Sequence, residues 1–193
     1  LRRRGLTALP VHFLGKAATF NLLYDDPAGI WREWATNVAE IRFDCGHHIA
    51  EEVPGELAAA LADHKSRGIT PKYIYTIPTV QNPTGTIMPE TRRAELLKLS
   101  QQYGVPVFED DCYADLIWNG ERPPAIYAMS QHGGVIHIGS FSKSIAPALR
   151  VGFIVAPWEM MSRMLALKTD AGSGALEQMV LAEYCAPHFQ AHV

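Results

Sequence analysis

Short apolar runs of strand length alternate with longer helix-forming segments through most of the chain. Strands are predicted at 72–77, 105–110, 135–139 and 152–156. Helices are predicted at 53–68, 89–103, 157–169 and 175–184. Near-continuous apolar strands that alternate with helices are typical of an α/β fold in which helices cover both faces of a mostly parallel sheet.

Several apolar side chains in these segments are expected to be buried. The second helix places Leu96, Leu99 and Tyr103 on one stripe, and the strand at 152–156 is expected to be as buried as its neighbours. Residues 1–40 show no comparable pattern. The last two helices carry residues that we expect in the core or at a dimer interface, namely Trp158, Met161, Leu165, Leu176 and Met179.

The composition is ordinary for a soluble globular protein, since 48% of the 193 residues are hydrophobic and 19% are charged. The formal net charge of −3 gives no electrostatic reason to expect nucleic acid or an anionic membrane as a partner. No apolar stretch approaches the roughly 18 residues that a membrane span needs. The three cysteines lie far apart in sequence, which suggests reduced thiols and a cytoplasmic protein.

Three polar clusters stand at the ends of predicted strands. They are QNPTG at 81–85, EDDCY at 109–113 and SFSK at 140–143. Ligand groups in open α/β sheets lie at the carboxyl ends of the strands. The shared placement of the clusters therefore predicts one site at that edge of the sheet.

Lys143 lies between two serines, with an arginine seven residues beyond it. A lysine at the end of a strand, with apolar segments on either side of its turn, can be partly desolvated. Desolvation favours the neutral amine, which is a nucleophile toward carbonyl carbon. Ser140, Ser142 and Arg150 supply the hydroxyls and the planar guanidinium that hold a phosphate. An amine for an aldehyde and a cradle for a phosphate together suggest pyridoxal phosphate. The alternative is a surface lysine beside a tight turn.

Pyridoxal phosphate makes two further demands on the chain. A buried carboxylate must keep the pyridine nitrogen protonated, and Asp110 is the candidate. The ring hydroxyl needs a hydrogen-bond partner, which Asn82 and Tyr113 could provide. Each residue alone has a plainer explanation: a turn sequence around Asn82, a solvated acid at Asp110 and a core position for Tyr113. All of them in this order on successive strands favour the coenzyme.

The segments QNPTG, EDDCYADL and SFSKSIAPALRVGFI together resemble the pyridoxal-phosphate enzymes of the aspartate aminotransferase superfamily, the fold-type-I group. They are most similar to the branch that holds the 2-aminoadipate and kynurenine aminotransferases. The resemblance implies that Lys143 forms the internal aldimine and that Asp110 pairs with the pyridinium nitrogen. It also implies that Asn82 and Tyr113 bond the 3-oxygen of the ring.

The same resemblance implies that Ser140, Ser142 and Arg150 hold the phosphate. The implied activity is transfer of an amino group between an amino acid and a 2-oxo acid, in a homodimer. Residues 41–193 match part of the coenzyme-binding large domain, whereas residues 1–40 match poorly. The C-terminal small domain, which carries the arginine for the substrate carboxylate, is expected to lie outside the sequence, so the chain is expected to be a fragment.

Other functions also fit parts of the sequence. Ser140 to Lys143 matches the Ser-x-x-Lys motif of serine acylases, but that motif should open a helix and needs further partners. A pyridoxal-phosphate sensor domain of a transcription regulator is a second alternative, although Tyr113, three residues after Asp110, fits the enzymes better. A lyase with the same coenzyme is a third. No metal site is predicted, and His137 is expected to be a packed core residue.

Overall fold

The computed structural model describes residues 11–16, 38–43, 54–170 and 172–193. The chain divides into two compact units, Leu1–Ala60 and Leu61–Val193. The first unit contains strands β1 (Val11–Lys16) and β2 (Val38–Phe43), which pair in parallel from Val11 opposite Val38 to Lys16 opposite Phe43. The sequence pattern had predicted neither strand. Trp31, Trp34, Cys45, His47 and His48 lie outside the described residues.

A four-stranded sheet forms the centre of the second unit, with the strand order β3-β4-β5-β6. Its strands are β3 (Ile74–Thr76), β4 (Val107–Asp110), β5 (Val135–Ser140) and β6 (Gly152–Val155). The helices are α1 (Pro54–Ser66, across the boundary between the units), α2 (Glu90–Tyr103), α3 (Ile126–Met129), α4 (Phe141–Ser144), α5 (Trp158–Leu167) and α6 (Ala175–His192). The predicted alternation of strands and helices is confirmed.

The sheet is mixed, because β3, β4 and β5 run parallel while β6 pairs antiparallel with β5. Only α4 and a short 3₁₀ turn at Pro147–Leu149 separate β5 from β6. A connection of this length cannot provide the crossover that a parallel pair requires. β6 ends the strand order, and all four of its residues are exposed, so the expectation that it is buried was wrong for the described chain.

Helix α2 buries a different stripe from the one that the apolar pattern predicted. Its buried residues are Arg93, Leu96, Leu97 and Ser100, whereas Leu99 and Tyr103 are only half-buried. The predicted end of this helix is confirmed: Gly104 adopts the left-handed conformation with φ of 66°, and its amide donates to the Gln101 carbonyl. Arginine was overlooked as a core residue because a charge is rarely buried without partners.

The last two helices leave much of their apolar surface exposed within the described chain. Trp158, Leu165, Leu176 and Met179 are between half and three-quarters exposed. Of the two expectations for them, a core position does not hold for the described chain, and a dimer interface stays a prediction. Helix α6 also continues eight residues past its predicted end at Tyr184, with Pro187 inside it. Among the described residues, no helix combines the length and the apolar character that crossing a membrane requires.

Candidate active site

The parallel pairing of β3, β4 and β5 brings the three polar clusters to one edge of the sheet. Thr76 lies opposite Glu109, and Asp110 lies opposite Ile138, so the three strands end within a few residues of one another. The predicted meeting of these turns at the carboxyl ends of the strands is therefore found.

Gln81 organises the turn that follows β3. Its buried side-chain oxygen accepts hydrogen bonds from the Thr84 amide at 2.9 Å and from the Thr84 hydroxyl at 2.7 Å. Its backbone carbonyl accepts from the Gly85 amide, and its own amide donates to the Thr86 carbonyl. The role of Gln81 in holding this turn was not predicted, because a glutamine before a turn is not a distinctive signal. These bonds fix the position of Asn82, the next residue.

Arg93 supports the same turn through hydrogen bonds from its side chain. Its guanidinium is completely buried and donates to the carbonyls of Pro78, Met88 and Pro124 and to the Thr79 hydroxyl, at 2.9–3.1 Å. These acceptors belong to the segment before the QNPTG turn, the start of α2 and the loop before α3. One side chain thus connects three segments that the sequence places far apart.

Asn82 and Tyr113 are in direct contact, as expected of two residues that would bind the same ring oxygen. The Asn82 side-chain amide donates to the Tyr113 hydroxyl at 3.0 Å. The Lys143 amine lies 5.7 Å from the centre of the Tyr113 ring, within the range of a cation–π contact. Tyr113 therefore contacts a residue from each of the other two turns.

Asp110 ends β4 and accepts hydrogen bonds from Tyr75 and from Cys112. The Tyr75 hydroxyl donates to its Oδ2 at 2.6 Å, and the Cys112 amide donates a longer bond to its Oδ1 at 3.4 Å. Tyr75 lies on the neighbouring strand β3, and the sequence analysis did not single it out. Burial, followed by the hydrogen bond with Asp110, raises the pKa of the Cys112 thiol to about 12. Cys112 therefore keeps its proton at neutral pH and is not a nucleophile here.

The SFSK segment joins a strand to a single helical turn. Ser140 ends β5 and caps α4, because its Oγ accepts a hydrogen bond from the Ser142 amide at 3.1 Å. The predicted place of this serine at the end of a strand is confirmed, and it also caps the single turn that follows. Lys143 is exposed within the described chain, so the described residues alone do not provide the desolvation that the sequence pattern suggested.

Arg150 follows the 3₁₀ turn and precedes β6. It adopts a left-handed conformation with φ of 53°, and its guanidinium donates to the Pro147 carbonyl at 3.3 Å. Ser140 at the end of β5 pairs with Gly152 at the start of β6. Gly152 therefore lies at the same edge of the sheet as the SFSK segment. A side chain at Gly152 would place its Cβ 2.9 Å from the Gly139 carbonyl oxygen, so this close pairing requires glycine.

Glu109 lies beside Asp110 in sequence and is completely buried. Its carboxylate accepts from the Ile126 amide at 2.7 Å and the Tyr127 amide at 3.0 Å, and it pairs with His137 Nδ1 at 2.9 Å. The hydrogen bond that His137 donates to the Glu109 carboxylate raises the pKa of His137. The prediction that His137 is a packed residue is confirmed in part, since its side chain is 12% exposed, but its charged partner was missed.

Asp111 extends this buried network. Its Oδ2 forms an ion pair with Arg122 at 2.8 Å, and Arg122 also bonds Asp115 at 3.0 Å. Potential ligand atoms of Glu109, Asp111 and His137 lie within 4.8 Å of one another. Backbone amides and the Arg122 guanidinium already engage these carboxylates. The described contacts are therefore those of an ion-pair network that holds the loop after β4.

Comparison with known proteins identifies the family. A sequence model of the family described as "Aminotransferase class I and II" matches residues 54–192. The chain belongs to this aminotransferase family. It is similar to the crystal structure of the Pyrococcus horikoshii kynurenine aminotransferase in complex with PMP, with a TM-score of 0.75 and 30% identity over 95% of this chain and 44% of that one. The expected fold type is confirmed.

Curated relatives of this aminotransferase chain include both regulators and enzymes. One is the uncharacterized HTH-type transcriptional regulator YisV of Bacillus subtilis, 43% identical over 58% of this chain and 23% of that protein. Another is the 2-aminoadipate transaminase of Thermus thermophilus, 37% identical over 58% of this chain and 30% of that enzyme. The match thus spans less than a third of the length of each of these relatives.

Proposed function

We propose that this chain forms part of the coenzyme-binding large domain of a pyridoxal 5′-phosphate-dependent aminotransferase, with residues 41–193 as that part. The enzyme would move an amino group between an amino acid and a 2-oxo acid. The observation that carries the proposal is the convergence of Asp110, Tyr113 and Lys143 at one sheet edge of a class I and II aminotransferase chain. The coenzyme, when bound, supplies an electron sink for negative charge at the substrate α-carbon.

The polar groups at this edge fit the coenzyme. Oδ1 of Asp110 accepts a long bond of 3.4 Å from the Cys112 amide. A carboxylate oxygen can accept more than one hydrogen bond, so Oδ1 can also accept one from a protonated ring nitrogen. Asn82 and Tyr113 offer an amide and a phenol to the ring hydroxyl. The phosphate would take hydroxyl and guanidinium donors from Ser140, Ser142 and Arg150, and Ser140 can still donate its proton while its oxygen caps α4.

Lys143 would carry the covalent and proton-transfer chemistry. Its exposed amine beside the Tyr113 ring is free to reach an aldehyde carbon. After substrate has replaced it there, the same amine can take the proton from the substrate α-carbon. Asp110 would hold the proton on the ring nitrogen meanwhile. No other described side chain at this edge combines a primary amine with that placement.

The whole enzyme would need groups from outside this chain, which covers 44% of the kynurenine aminotransferase structure. We propose that the arginine for the substrate carboxylate belongs to a separate small domain of the full-length protein. We also propose a cytoplasmic homodimer. The exposed apolar residues of α5 and α6, including Trp158 and Leu176, support a further packing partner for these helices.

A specific observation favours a second candidate function. The regulator YisV is 43% identical to this chain, against 37% for the 2-aminoadipate transaminase. The same coenzyme site could therefore serve as the sensor domain of an aminotransferase-like transcription regulator. The two candidates share Lys143 and Asp110 and differ in what the bound coenzyme does next.

The coenzyme site is tested with the full-length gene product loaded with pyridoxal 5′-phosphate. Borohydride reduction followed by peptide mass mapping should locate the coenzyme on Lys143. Lys143→Ala should abolish both this adduct and turnover. Lys168→Ala is the matched control, since Lys168 is exposed and pairs with Asp170. A wild-type protein that shows neither coenzyme binding nor an adduct at Lys143 contradicts the proposal.

Turnover separates the candidate activities. An aminotransferase should form product from an amino acid only when an oxo acid is also supplied. A lyase should need no oxo acid. A sensor should bind DNA in a manner that depends on coenzyme and amino acid, with no sustained turnover. DNA binding without turnover would favour the second candidate over the first.

A further inference from the structure

The hydroxyl of Tyr75 and the carboxylate of Asp110 form a short hydrogen bond between adjacent strands. Tyr75 Oη donates to Asp110 Oδ2 at 2.6 Å, a length typical of hydrogen bonds from a hydroxyl to a carboxylate. Tyr75 lies opposite Phe108 in the β3–β4 ladder, and Asp110 is two residues further along β4, on the same face as Phe108. The bond therefore runs diagonally toward the end of the sheet where the three turns meet.

The Phe108 ring packs beside the Tyr75 ring on the neighbouring strand. The two ring centres are 6.1 Å apart and the rings are tilted by 31°. Partial burial, and then the hydrogen bond with Asp110, raise the pKa of the Tyr75 hydroxyl above its ordinary value. Tyr75 thus keeps its proton over the whole working pH range and can only be the donor in this bond.

The two carboxylate oxygens of Asp110 consequently have different partners. Oδ2 is held by Tyr75, while Oδ1 has the long bond from the Cys112 amide. A carboxylate can otherwise rotate about its terminal torsion, for which side chains have broad preferences. A donor fixed on one oxygen leaves the other oxygen pointing in one direction.

We propose that Tyr75 is a positioning residue, which orients Asp110 and stabilises its charge so that one carboxylate oxygen faces the ring nitrogen of the coenzyme. This inference rests on the proposed function, because Tyr75 acts on the coenzyme only through Asp110. Its hydroxyl takes no part in holding the phosphate or in proton transfer at the substrate.

A double-mutant cycle on the coenzyme-loaded full-length protein tests this role. Tyr75→Phe should weaken pyridoxal 5′-phosphate binding by about 3- to 10-fold, less than the direct loss of a charged hydrogen bond, because Tyr75 acts on the coenzyme only through Asp110. In an Asp110→Ala background the same substitution should change the dissociation constant by less than about 2-fold. With ¹⁵N-labelled coenzyme, the ring-nitrogen signal of Tyr75→Phe should move toward the value of the unprotonated ring, as in Asp110→Ala.

Tyr73→Phe is the matched control. Tyr73 directly precedes β3, and the centre of its ring lies 5.7 Å from the centre of the Phe108 ring. Its side chain is exposed to a similar extent as that of Tyr75. Within the described residues its hydroxyl has no hydrogen bond to Asp110. The control variant should bind the coenzyme as the wild type does and give the wild-type ring-nitrogen signal.

Three results would overturn the positioning role. Tyr75→Phe could behave as Tyr73→Phe does, or it could weaken binding equally with and without Asp110. A second hydroxyl-free variant, Tyr75→Leu, guards against misfolding; if neither variant folds, Tyr75 is a structural residue and the role is wrong. In all three cases the wild type would still carry coenzyme on Lys143, whereas failure of the proposed function would leave the wild type without it.

Discussion

The Asn82 side-chain amide donates a hydrogen bond to the Tyr113 hydroxyl across 3.0 Å, although 31 positions separate the two residues in sequence. This bond joins the turn after β3 to the turn after β4. The Lys143 amine lies over the ring of the same tyrosine, 5.7 Å from its centre. Tyr113 is thus the side chain through which all three turns of the candidate site are connected.

Tyr113→Phe should weaken coenzyme binding while leaving the fold intact. The substitution removes the hydroxyl that accepts from Asn82 and that would bond the ring oxygen, but it keeps the ring beside Lys143. Loss of such a neutral hydrogen bond should raise the dissociation constant by about 3- to 10-fold. An absorbance titration with pyridoxal 5′-phosphate measures it. Tyr103→Phe, at the end of α2, should bind as the wild type does; equal behaviour of the two variants would contradict the assigned role.

The sequence predicted where this site lies because parallel strands end together. Three apolar runs, each followed by polar residues, were enough to place Asn82, Asp110 and Lys143 at one sheet edge. The proposed chemistry rests on residue types, since an amine, a carboxylate and hydroxyls are each suited to a different part of one coenzyme. What could be predicted was therefore what local pattern and strand order determine.

Residues that act through long-range contacts could not be predicted in the same way. Tyr75 and Glu109 each acquire a role from a partner 17 or more positions away. The exposure of Lys143 and the orientation of β6 likewise depend on which segments surround them. Arg93 shows the limit most clearly, because an apolar-periodicity rule assigns an arginine to the surface. Its burial depends on backbone carbonyls that no sequence pattern identifies.

Arg93→Met should destabilise the second unit and disturb the turn after β3. The substitution removes the guanidinium that donates to the carbonyls of Pro78, Met88 and Pro124 and to the Thr79 hydroxyl. Pro78 keeps its bond from the Met88 amide, whereas the buried Met88 carbonyl and Thr79 hydroxyl lose the bonds that Arg93 donates. We expect the free energy of unfolding to fall by about 2–4 kcal/mol, since buried acceptors that lose a charged donor are costly. Chemical denaturation measures this loss.

The neighbouring residue provides the control for this substitution. Arg92 forms a surface pair with Glu95, and both side chains are about half exposed. Arg92→Met should therefore cost less than about 1 kcal/mol. A similar cost for the two variants would show that the buried hydrogen bonds of Arg93 do not stabilise the fold.

Arg122→Met should be destabilising because it leaves the Asp111 carboxylate buried without its counter-charge. The Asp111 side chain is only 1% exposed, whereas Arg122 is 43% exposed. We expect a loss of about 1–3 kcal/mol in the free energy of unfolding, below the cost for a fully buried pair because water reaches the arginine. Adding Asp111→Asn to the variant should recover part of that loss. Arg163→Met, which breaks an exposed pair with Glu159, should have little effect; a cost equal to that of Arg122→Met would contradict the prediction.

His137 should make the stability of the fold depend on pH. The hydrogen bond that His137 donates to Glu109 raises the pKa of His137 in the folded protein, so the folded state binds this proton more tightly than the unfolded chain does. The stabilisation is fully present below the unfolded pKa of about 6.5 and is lost as the pH rises through the raised folded value.

His137→Gln separates this titration from simple packing, because glutamine keeps a neutral donor at every pH. The wild type should exceed the variant in unfolding free energy by more at about pH 5.5 than at about pH 8.5, on either side of the ordinary histidine pKa. His132→Gln is the control, since His132 is exposed and close in sequence. Denaturant titrations of the three proteins across this range decide the point. A wild-type advantage that is flat with pH, as expected for His132→Gln, would show that the imidazolium of His137 does not stabilise the buried Glu109 carboxylate.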